Sequence, residues 1–433
     1  MSDFVAIRKI LAGDADSTQV KLRGWLHNRR SSGGILFLII RDGTGFLQCT
    51  AKKEQLGEKF SEIESLPLES TIEVEGEVVR DPRAPRGYEL RMTDVLVLHR
   101  SLEDFPIAKK YHGPEFLLDN RHFWIRSKKM QTILRTRALV IEESRRWLKE
   151  HGYMEVHVPI LVSAAVEGGS TLFEVKYFDE KAYLTQSWQL YAEAMIASLG
   201  KIYTLAPSFR AEKSRTRRHL TEYWHLELEE PWLDLEGLIK VEQELILHIC
   251  HEVAAQAPEE LKELGRDPDE LTSLKPPLPT ITYDRAIELI QKADSSFKWG
   301  TDLGYNQEKI LTKDFTTPFF VTHYPKGVKA FYHMPDPKRP EVTLSVDLLA
   351  PEGYGEITGG GQRIHDYEQL MQRIDEEHLN PKDYSWYLDL RKYGTVPHSG
   401  FGMGIERTIT WICKLKHIRD AAAFPRLINR LRP

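Results

Sequence analysis

Cysteine is scarce in this chain: three residues, Cys49, Cys250 and Cys413, among 433. Their number is odd and their spacing too wide for a local metal knuckle. Neither a disulfide framework nor a structural zinc site is expected, and a reducing, cytoplasmic setting is. Long hydrophobic runs are missing too. The longest, Ile35 to Ile40, falls far short of the ~20 apolar residues of a spanning helix. The opening Met-Ser-Asp-Phe-Val supplies neither a basic nor an apolar leader, so secretion and a membrane partner are not expected. No charge of one sign dominates, because Lys+Arg 59 stand against Asp+Glu 64 for a formal net charge of −5. That balance argues against DNA as a partner, although a mean charge hides local patches. What remains, 41% hydrophobic and 28% charged residues, is the balance of a globular protein. The length suits roughly two to four domains.

Residues 19 to 100 read as five short strands, Gln19 to His27, Ile35 to Arg41, Phe46 to Ala51, Thr71 to Val79 and Glu89 to Leu98. Turn groups such as Ser31-Ser32-Gly33-Gly34 and Asp42-Gly43-Thr44-Gly45 separate them. Five strands over such a length suit a small closed barrel of the OB type. Between Lys21 and Lys53 the cations Lys21, Arg23, Arg29, Arg30, Arg41, Lys52 and Lys53 face Asp42 alone, interleaved with Trp25, His27, Phe37 and Phe46. Cations that track a backbone beside rings that stack on bases suit single-stranded nucleic acid. A barrel with a charged rim and a core phenylalanine accounts for the same composition.

A Pro-containing, mixed-charge stretch from Asp104 to Pro114 reads as a linker. Helical spacing of Leu134, Ala138, Ile141 and Leu148 then predicts a helix over Gln131 to Glu150, followed by a strand over Gly152 to Leu161. Further strands are expected at Ala182 to Thr185, Ile202 to Phe209, Glu222 to Glu230 and Thr343 to Leu349. Helices are expected at Trp188 to Leu199, Leu235 to Ala254, Ile364 to His378 and Gly404 to Leu415. The mixture points to an α+β domain with a mostly antiparallel sheet.

Three constellations carry chemistry. In the first, Ser208 to Glu229, a strand enters a loop holding the five cations Arg210, Lys213, Arg215, Arg217 and Arg218, and a second strand returns. Its alternation puts Trp224, Leu226 and Leu228 on a core face and Tyr223, His225, Glu227 and Glu229 on the other. Like charges so crowded repel unless an anion sits among them. In the second, Asp347 and Glu356 flank a turn ahead of Gly359-Gly360-Gly361-Gln362-Arg363. Such carboxylates suit a hard cation bridging phosphates, and the glycines allow close backbone approach. In the third, Gly400-Phe401-Gly402-Met403-Gly404-Ile405-Glu406-Arg407 makes a strand-to-helix turn. It lacks the spacing and the later acid of a dinucleotide fingerprint.

In chain order, the helix ending in Gly152-Tyr153-Met154-Glu155-Val156-His157-Val158-Pro159, the Phe209-Arg210-Ala211-Glu212 hairpin and Gly402-Met403-Gly404-Ile405-Glu406-Arg407 resemble motifs 1, 2 and 3 of class II aminoacyl-tRNA synthetases. The resemblance spans essentially the whole chain, and the OB-like segment places it in the aspartate, asparagine and lysine subgroup. Within that subgroup, Gln186-Ser187-Trp188-Gln189-Leu190-Tyr191-Ala192-Glu193, Ser214-Arg215-Thr216-Arg217-Arg218-His219-Leu220 and Phe424-Pro425-Arg426 look most like the asparagine enzymes. The resemblance implies an OB anticodon domain over 1–103, a hinge over 104–128, and a catalytic domain over 129–433 built on an antiparallel sheet with flanking helices.

It further implies ATP-dependent ligation of asparagine to tRNA(Asn) through an asparaginyl-adenylate. Arg210 would bind the α-phosphate of ATP and Arg407 the γ-phosphate. Tyr223 would stack on adenine, with Glu212, His219 and Glu356 supporting the nucleotide. Asp347 and Glu356 would ligate Mg²⁺. Glu167, Ser187 and Gln189 would hold the amino acid's ammonium group and backbone, Arg363 would donate to its side-chain carbonyl and Glu227 would accept from its NH₂. Arg30, Phe37 and Gln48 would read the anticodon, and the motif 1 helix would form a homodimer. Aspartate enzymes of the subgroup carry a lysine where this chain has Ala192, which favours asparagine, since an aspartate carboxylate would meet Glu227. Two other readings stay open: an aspartyl enzyme of relaxed tRNA specificity, and a tRNA-independent paralogue.

Overall fold

The computed structural model describes residues 4–163, 172–213, 216–313 and 315–433. The chain divides into two compact units, Met1–Lys128 and Lys129–Pro433. Glu167 of the expected ammonium site, and Ser214 and Arg215 of the cationic hairpin, lie outside the described residues.

In the first unit, strands β1 (Gln19–Ser32), β2 (Ile35–Arg41), β3 (Phe46–Lys52), β4 (Thr71–Arg80) and β5 (Tyr88–His99) close a barrel in the order β1-β2-β3-β5-β4. Closure leaves no open sheet edge. The strand β1 runs to Ser32 rather than stopping at His27, so Ser31 and Ser32 are strand. The turn falls to Gly33 and Gly34, whose φ values of 58° and 75° favour glycine. Along β2, Leu36, Leu38 and Ile40 enter the barrel core beside Leu47 and Cys49, while Phe37 and Ile39 alternate onto the outer face. Within the expected linker, helices form at Pro114–Asp119 and Arg121–Trp124. Arg126 donates to Glu69 at 3.0 Å, tying this segment to the barrel.

In the second unit the amphipathic helix covers Lys128–Glu150 and buries Met130, Ile133, Val140, Trp147 and Leu148. The run expected as one strand from Gly152 to Leu161 is strand only near its ends, at β6 (Met154–Glu155) and β7 (Leu161–Val162). Pro159 between them has no N–H for a ladder. A small sheet orders β7, β9 (Glu180–Leu184) and β8 (Glu174–Tyr177).

The large sheet has eight strands. Its members are β6, β10 (Ile202–Phe209), β11 (Glu222–Pro231), β12 (Thr280–Thr282), β13 (Phe319–Thr322), β16 (Ser345–Ala350), β17 (Gly355–Gln362) and β18 (His398–Gly404). They lie in the order β12-β13-β16-β17-β18-β11-β10-β6. The outermost pair at each end is parallel and the pairs between are antiparallel. A hairpin of β14 (Pro335–Asp336) and β15 (Arg339–Thr343) explains why the strand expected from Thr343 to Leu349 is broken. Thr343 pairs with Pro335 in the hairpin, and Ser345 with Gly361 in the large sheet.

The helix Leu235–Gln256 covers one face of the large sheet, burying Leu238, Leu245, Ile246, Ile249 and Val253, and starts where Asp234 accepts from Gly237 N at 2.8 Å. Helices Gln189–Leu199, Tyr283–Gln291, Tyr367–Glu376, Ser385–Lys392 and Ile405–Ile412 complete the unit's described helices of eight residues or more. The helix expected from Ile364 begins only at Tyr367, because the Asp366 side chain caps it by accepting from Gln369 N at 2.9 Å.

Candidate active site

The sheet face opposite the helix Leu235–Gln256 carries the site. Cross-strand register sets Asp347, Gly359, Gly402 and Glu227 in one row over β16, β17, β18 and β11. Carboxylates stand at both ends, with bare backbone between. The neighbouring row reads Gly361, Gly400 and Glu229. Glycine is required in this floor. A Cβ on Gly402 would lie 2.5 Å from His225 Nε2, and one on Gly400 would lie 2.0 Å from Glu229 Oε2. The Gly-x-Gly-x-Gly of motif 3 therefore lets side chains of β11 lie flat across β18.

Over this floor lies a cavity of about 500 Å³. It brings together Ser187, Gln189, Arg210, His219, Tyr223, Glu227, Asp347, Glu356, Arg363 and Arg407, ten of the residues singled out in the sequence. Glu212 is half-buried beside it, and its charge acts on His219. At the cationic end Arg210 lies 6.0 Å from the Tyr223 ring centre, and Arg407 pairs with Glu356 at 2.9 Å. Burial works to raise the Glu356 carboxyl, but Arg407, Lys329, Arg218 and Arg210 hold it down at about 2. Burial pushes Asp347 up to about 7 despite Lys329, whose ammonium donates to both its oxygens at 2.7 and 2.8 Å. A Cβ on Gly359 would lie 3.1 Å from Asp347 Oδ1 and 3.3 Å from Glu356 Oε1. The two carboxylates thus converge on one point, and an all-oxygen donor set fits a hard divalent cation.

At the other end the groups are buried. Arg363 donates to both oxygens of Glu229 at 3.1 Å and to Gln189 Oε1 at 2.8 Å. Gln189 spends its two N–H groups on Glu193 and Glu229, at 2.9 and 3.1 Å, and meets the cavity through Oε1. Ser187 Oγ donates to Glu227, and Trp188 N donates to the other oxygen of Glu227 at 3.3 Å. Burial and neighbouring guanidinium groups lower the imidazoles that line the cavity. Burial and then Arg210 push His225 down to about 3, and burial and then Arg363 lower His333 well below the usual range. Burial and Arg407 lower His219.

Two expectations are corrected. Ala192, read as standing where aspartate enzymes carry a substrate-facing lysine, does not border the cavity: it packs with Val156, Trp188, Ile196 and Ile202 in a small core. On β11, Leu226 and Leu228 are buried as expected, but Trp224 is 40% exposed. Several site residues carried no motif. Lys329 follows no spacing rule. Glu308 comes from the short helix Tyr305–Leu311 and binds Arg218 at 2.6 Å and Glu356 N at 2.6 Å. That ion pair neutralises one of the hairpin cations expected to face an anion. Glu406 accepts from Trp224 N at 2.9 Å and pairs with Arg137 at 2.7 Å, joining motifs 3, 2 and 1. Its place in motif 3 was the available signal.

In the barrel, Arg30 lies opposite Phe37 on the neighbouring strand, with its guanidinium 4.4 Å from the ring centre. Phe37 is half-buried on the outer face and outside the barrel core, and Gln48 shares that face, donating to Glu89 at 3.1 Å.

The family model described as tRNA synthetases class II (D, K and N) matches residues 113–428, and that of the OB-fold nucleic acid binding domain matches residues 20–98. The chain belongs to the class II tRNA synthetases of the aspartate, lysine and asparagine group. An asparagine–tRNA ligase of Thermococcus gammatolerans is 49% identical over 420 residues, 97% of each chain. The crystal structure of asparaginyl-tRNA synthetase from Pyrococcus horikoshii complexed with asparaginyl-adenylate superposes with a TM-score of 0.95 at 48% identity, covering 100% of both chains. The Entamoeba histolytica asparaginyl-tRNA synthetase in complex with asparaginyl-adenylate gives 0.88 at 34% identity, over 96% of this chain and 97% of that one. Within the class, the chain is a member of the asparagine–tRNA ligase family. Among the described residues no helix is long and apolar enough to cross a membrane.

Proposed function

We propose that this chain ligates asparagine to tRNA(Asn), with ATP, by way of an asparaginyl-adenylate. The observation that carries this reading is a single cavity whose cationic end, Arg210, Arg218 and Arg407, meets a buried polar end, Ser187, Gln189, Glu227 and Arg363, across a glycine floor. A carboxylate oxygen of asparagine attacks the α-phosphorus, the bond from that phosphorus to the bridging oxygen breaks, and pyrophosphate leaves with the electron pair. The ribose hydroxyl at the end of tRNA then attacks the activated carbonyl and expels AMP. No side-chain nucleophile is required. Fixed guanidinium groups that oppose developing charge, with substrates held in line, supply the catalysis.

Arg210 is assigned to the α-phosphate, Arg407 to the γ-phosphate and Tyr223 to the adenine face, with Glu212, His219 and Glu356 supporting the nucleotide. Ser187, Gln189 and Glu167 are assigned to the ammonium group and backbone, Arg363 to the side-chain carbonyl and Glu227 to the amide NH₂. Asp347 and Glu356 would hold Mg²⁺, which when bound screens the phosphate charges. Arg30, Phe37 and Gln48 are assigned to the anticodon. A homodimer is supported by the apolar residues Met154, Ile160 and Leu161, 52%, 41% and 40% exposed beside the motif 1 helix. Three buried, unpaired cysteines suit a cytoplasmic location.

Pyrophosphate–ATP exchange with asparagine and aspartate in parallel, followed by charging of total tRNA, tests the reading. Asparagine-dependent exchange and charging are expected. Exchange driven by aspartate alone would replace it with the aspartyl reading, and exchange without charging would favour a tRNA-independent paralogue.

A further inference from the structure

Behind the Gln189 wall of the cavity, Glu193, Glu229 and His398 gather with ligand atoms within 4.8 Å of one another, all buried. The grouping would suit a metal ion, but cations of the protein already occupy it. Glu229 is held by Arg363 through both oxygens, and Glu193 is held by Arg391. His398 Nε2 lies 3.0 Å from Glu193, and the Tyr387 hydroxyl donates to it at 2.8 Å. Gln189 ties the two halves together by donating to both carboxylates while accepting from Arg363. The side chains of Glu193, Arg391, Glu229 and Arg363 are 1%, 2%, 0% and 3% exposed. Of Gln189, Glu193, Glu229, Arg363, Tyr387, Arg391 and His398, it is Gln189 and Arg363 that line the cavity.

Charges so deeply buried interact strongly, and each is costly unless matched. Two carboxylates here match two guanidinium groups. Arg363, assigned above to the substrate's side-chain carbonyl, therefore presents N–H donors without an uncompensated positive charge. An amide asks for that combination. A carboxylate, which differs from the amide by one full charge, does not find the cation it needs.

We propose that Glu193, which does not touch the substrate, is a positioning residue that determines specificity: its buried charge balances the Arg363 cluster, so the pocket takes a neutral amide and rejects a carboxylate. The inference rests on the proposed asparagine-activating function and on Arg363 as the side-chain partner. It places a determinant of amino-acid choice one position beyond Ala192, on the side of the helix that faces the cluster rather than the small core.

The test is pyrophosphate–ATP exchange of the full chain with each amino acid, read as the ratio of kcat/KM for aspartate to that for asparagine. Wild type is measured first, and absence of exchange with asparagine would defeat the proposed function itself. Glu193→Gln keeps the shape, exchanges one accepting oxygen for an NH₂ and leaves one guanidinium unmatched, and should raise the ratio by roughly tenfold to a hundredfold. KM for ATP should change little. Glu193→Asp, which keeps the charge, should retain the preference for asparagine. Adding Arg391→Gln to Glu193→Gln restores the match and should restore the ratio. A purely structural role would depress exchange with both amino acids equally, so an unchanged ratio in active Glu193→Gln would overturn the inference, as would a double variant that stays relaxed. Should Glu193→Gln fail to fold, Arg391→Gln tests the same idea with opposite sign. Aspartate should then inhibit asparagine-dependent exchange several-fold less than in wild type, and unchanged inhibition would overturn the inference.

Discussion

Gly402 shows how much of this site depends on atoms that are absent. His225 Nε2 lies 2.5 Å from where its Cβ would be, so Gly402→Ala must displace a half-buried imidazole beside Glu227. Overpacking of this kind costs about 1 to 3 kcal/mol. A lowered urea midpoint, with asparagine-dependent exchange reduced by roughly tenfold or more, is the expected outcome, and native exchange would show that His225 has room to move. The residue types of the site were legible in the sequence, because guanidinium groups for phosphate and carboxylates for a hard cation have few substitutes. Their partners were not. Lys329 and Glu308 answer to no spacing rule, since Lys329 follows the turn Lys326–Val328 and Glu308 sits on the helix Tyr305–Leu311, and only tertiary packing brings them to Asp347 and Arg218.

At the scale of elements, strand and helix periodicity located the barrel strands and the longest helices, the elements between Pro258 and Thr322 were not read from the sequence, and the shifted boundaries have local causes. Asp366 caps a helix later than its apolar pattern begins, and the β14–β15 hairpin captures Thr343. On β2 the outward alternation of Phe37 takes it out of the core, so its proposed base stacking can be tested apart from packing. Phe37→Ala should depress tRNA charging by the ~1 to 3 kcal/mol of a lost base stack while sparing exchange without tRNA. Equal loss in both assays would assign Phe37 to barrel stability. The barrel also holds a buried ion pair, in which Arg41 donates to both oxygens of Glu69 at 2.9 and 2.8 Å. Burial works to raise Glu69, but hydrogen bonds from His27, Arg41 and Arg126 hold it down at about 2, below its ordinary 4.5. A depressed carboxylate contributes stability that is complete above about pH 4.5 and lost as the pH falls through 2. Arg41→Met should therefore cost about 3 kcal/mol near neutrality. Urea midpoints taken at descending pH should show the gap from wild type narrowing below 4.5. A gap independent of pH would assign the loss to packing alone.

At the scale of the whole molecule, exposed Met154, Ile160 and Leu161 beside the motif 1 helix lead to the expectation of twice the 50.1 kDa chain mass by light scattering at micromolar concentration. A monomeric mass would remove the proposed dimer. The sequence by itself determined the two-unit plan, the three motifs in their order and the residue types proposed to handle phosphate and a metal ion. Those follow from local periodicity, turn chemistry and the short list of side chains able to bind such groups. The tertiary structure alone decided that Ala192 and Trp188 face a core while Glu193 joins the charge cluster. It also decided that the motif 3 glycines form the floor between Asp347 and Glu227, and that Arg363 arrives already matched by Glu229. Those outcomes depend on which face of each element is buried and on register between strands far apart in the chain. Neither is encoded in the local pattern of any one segment.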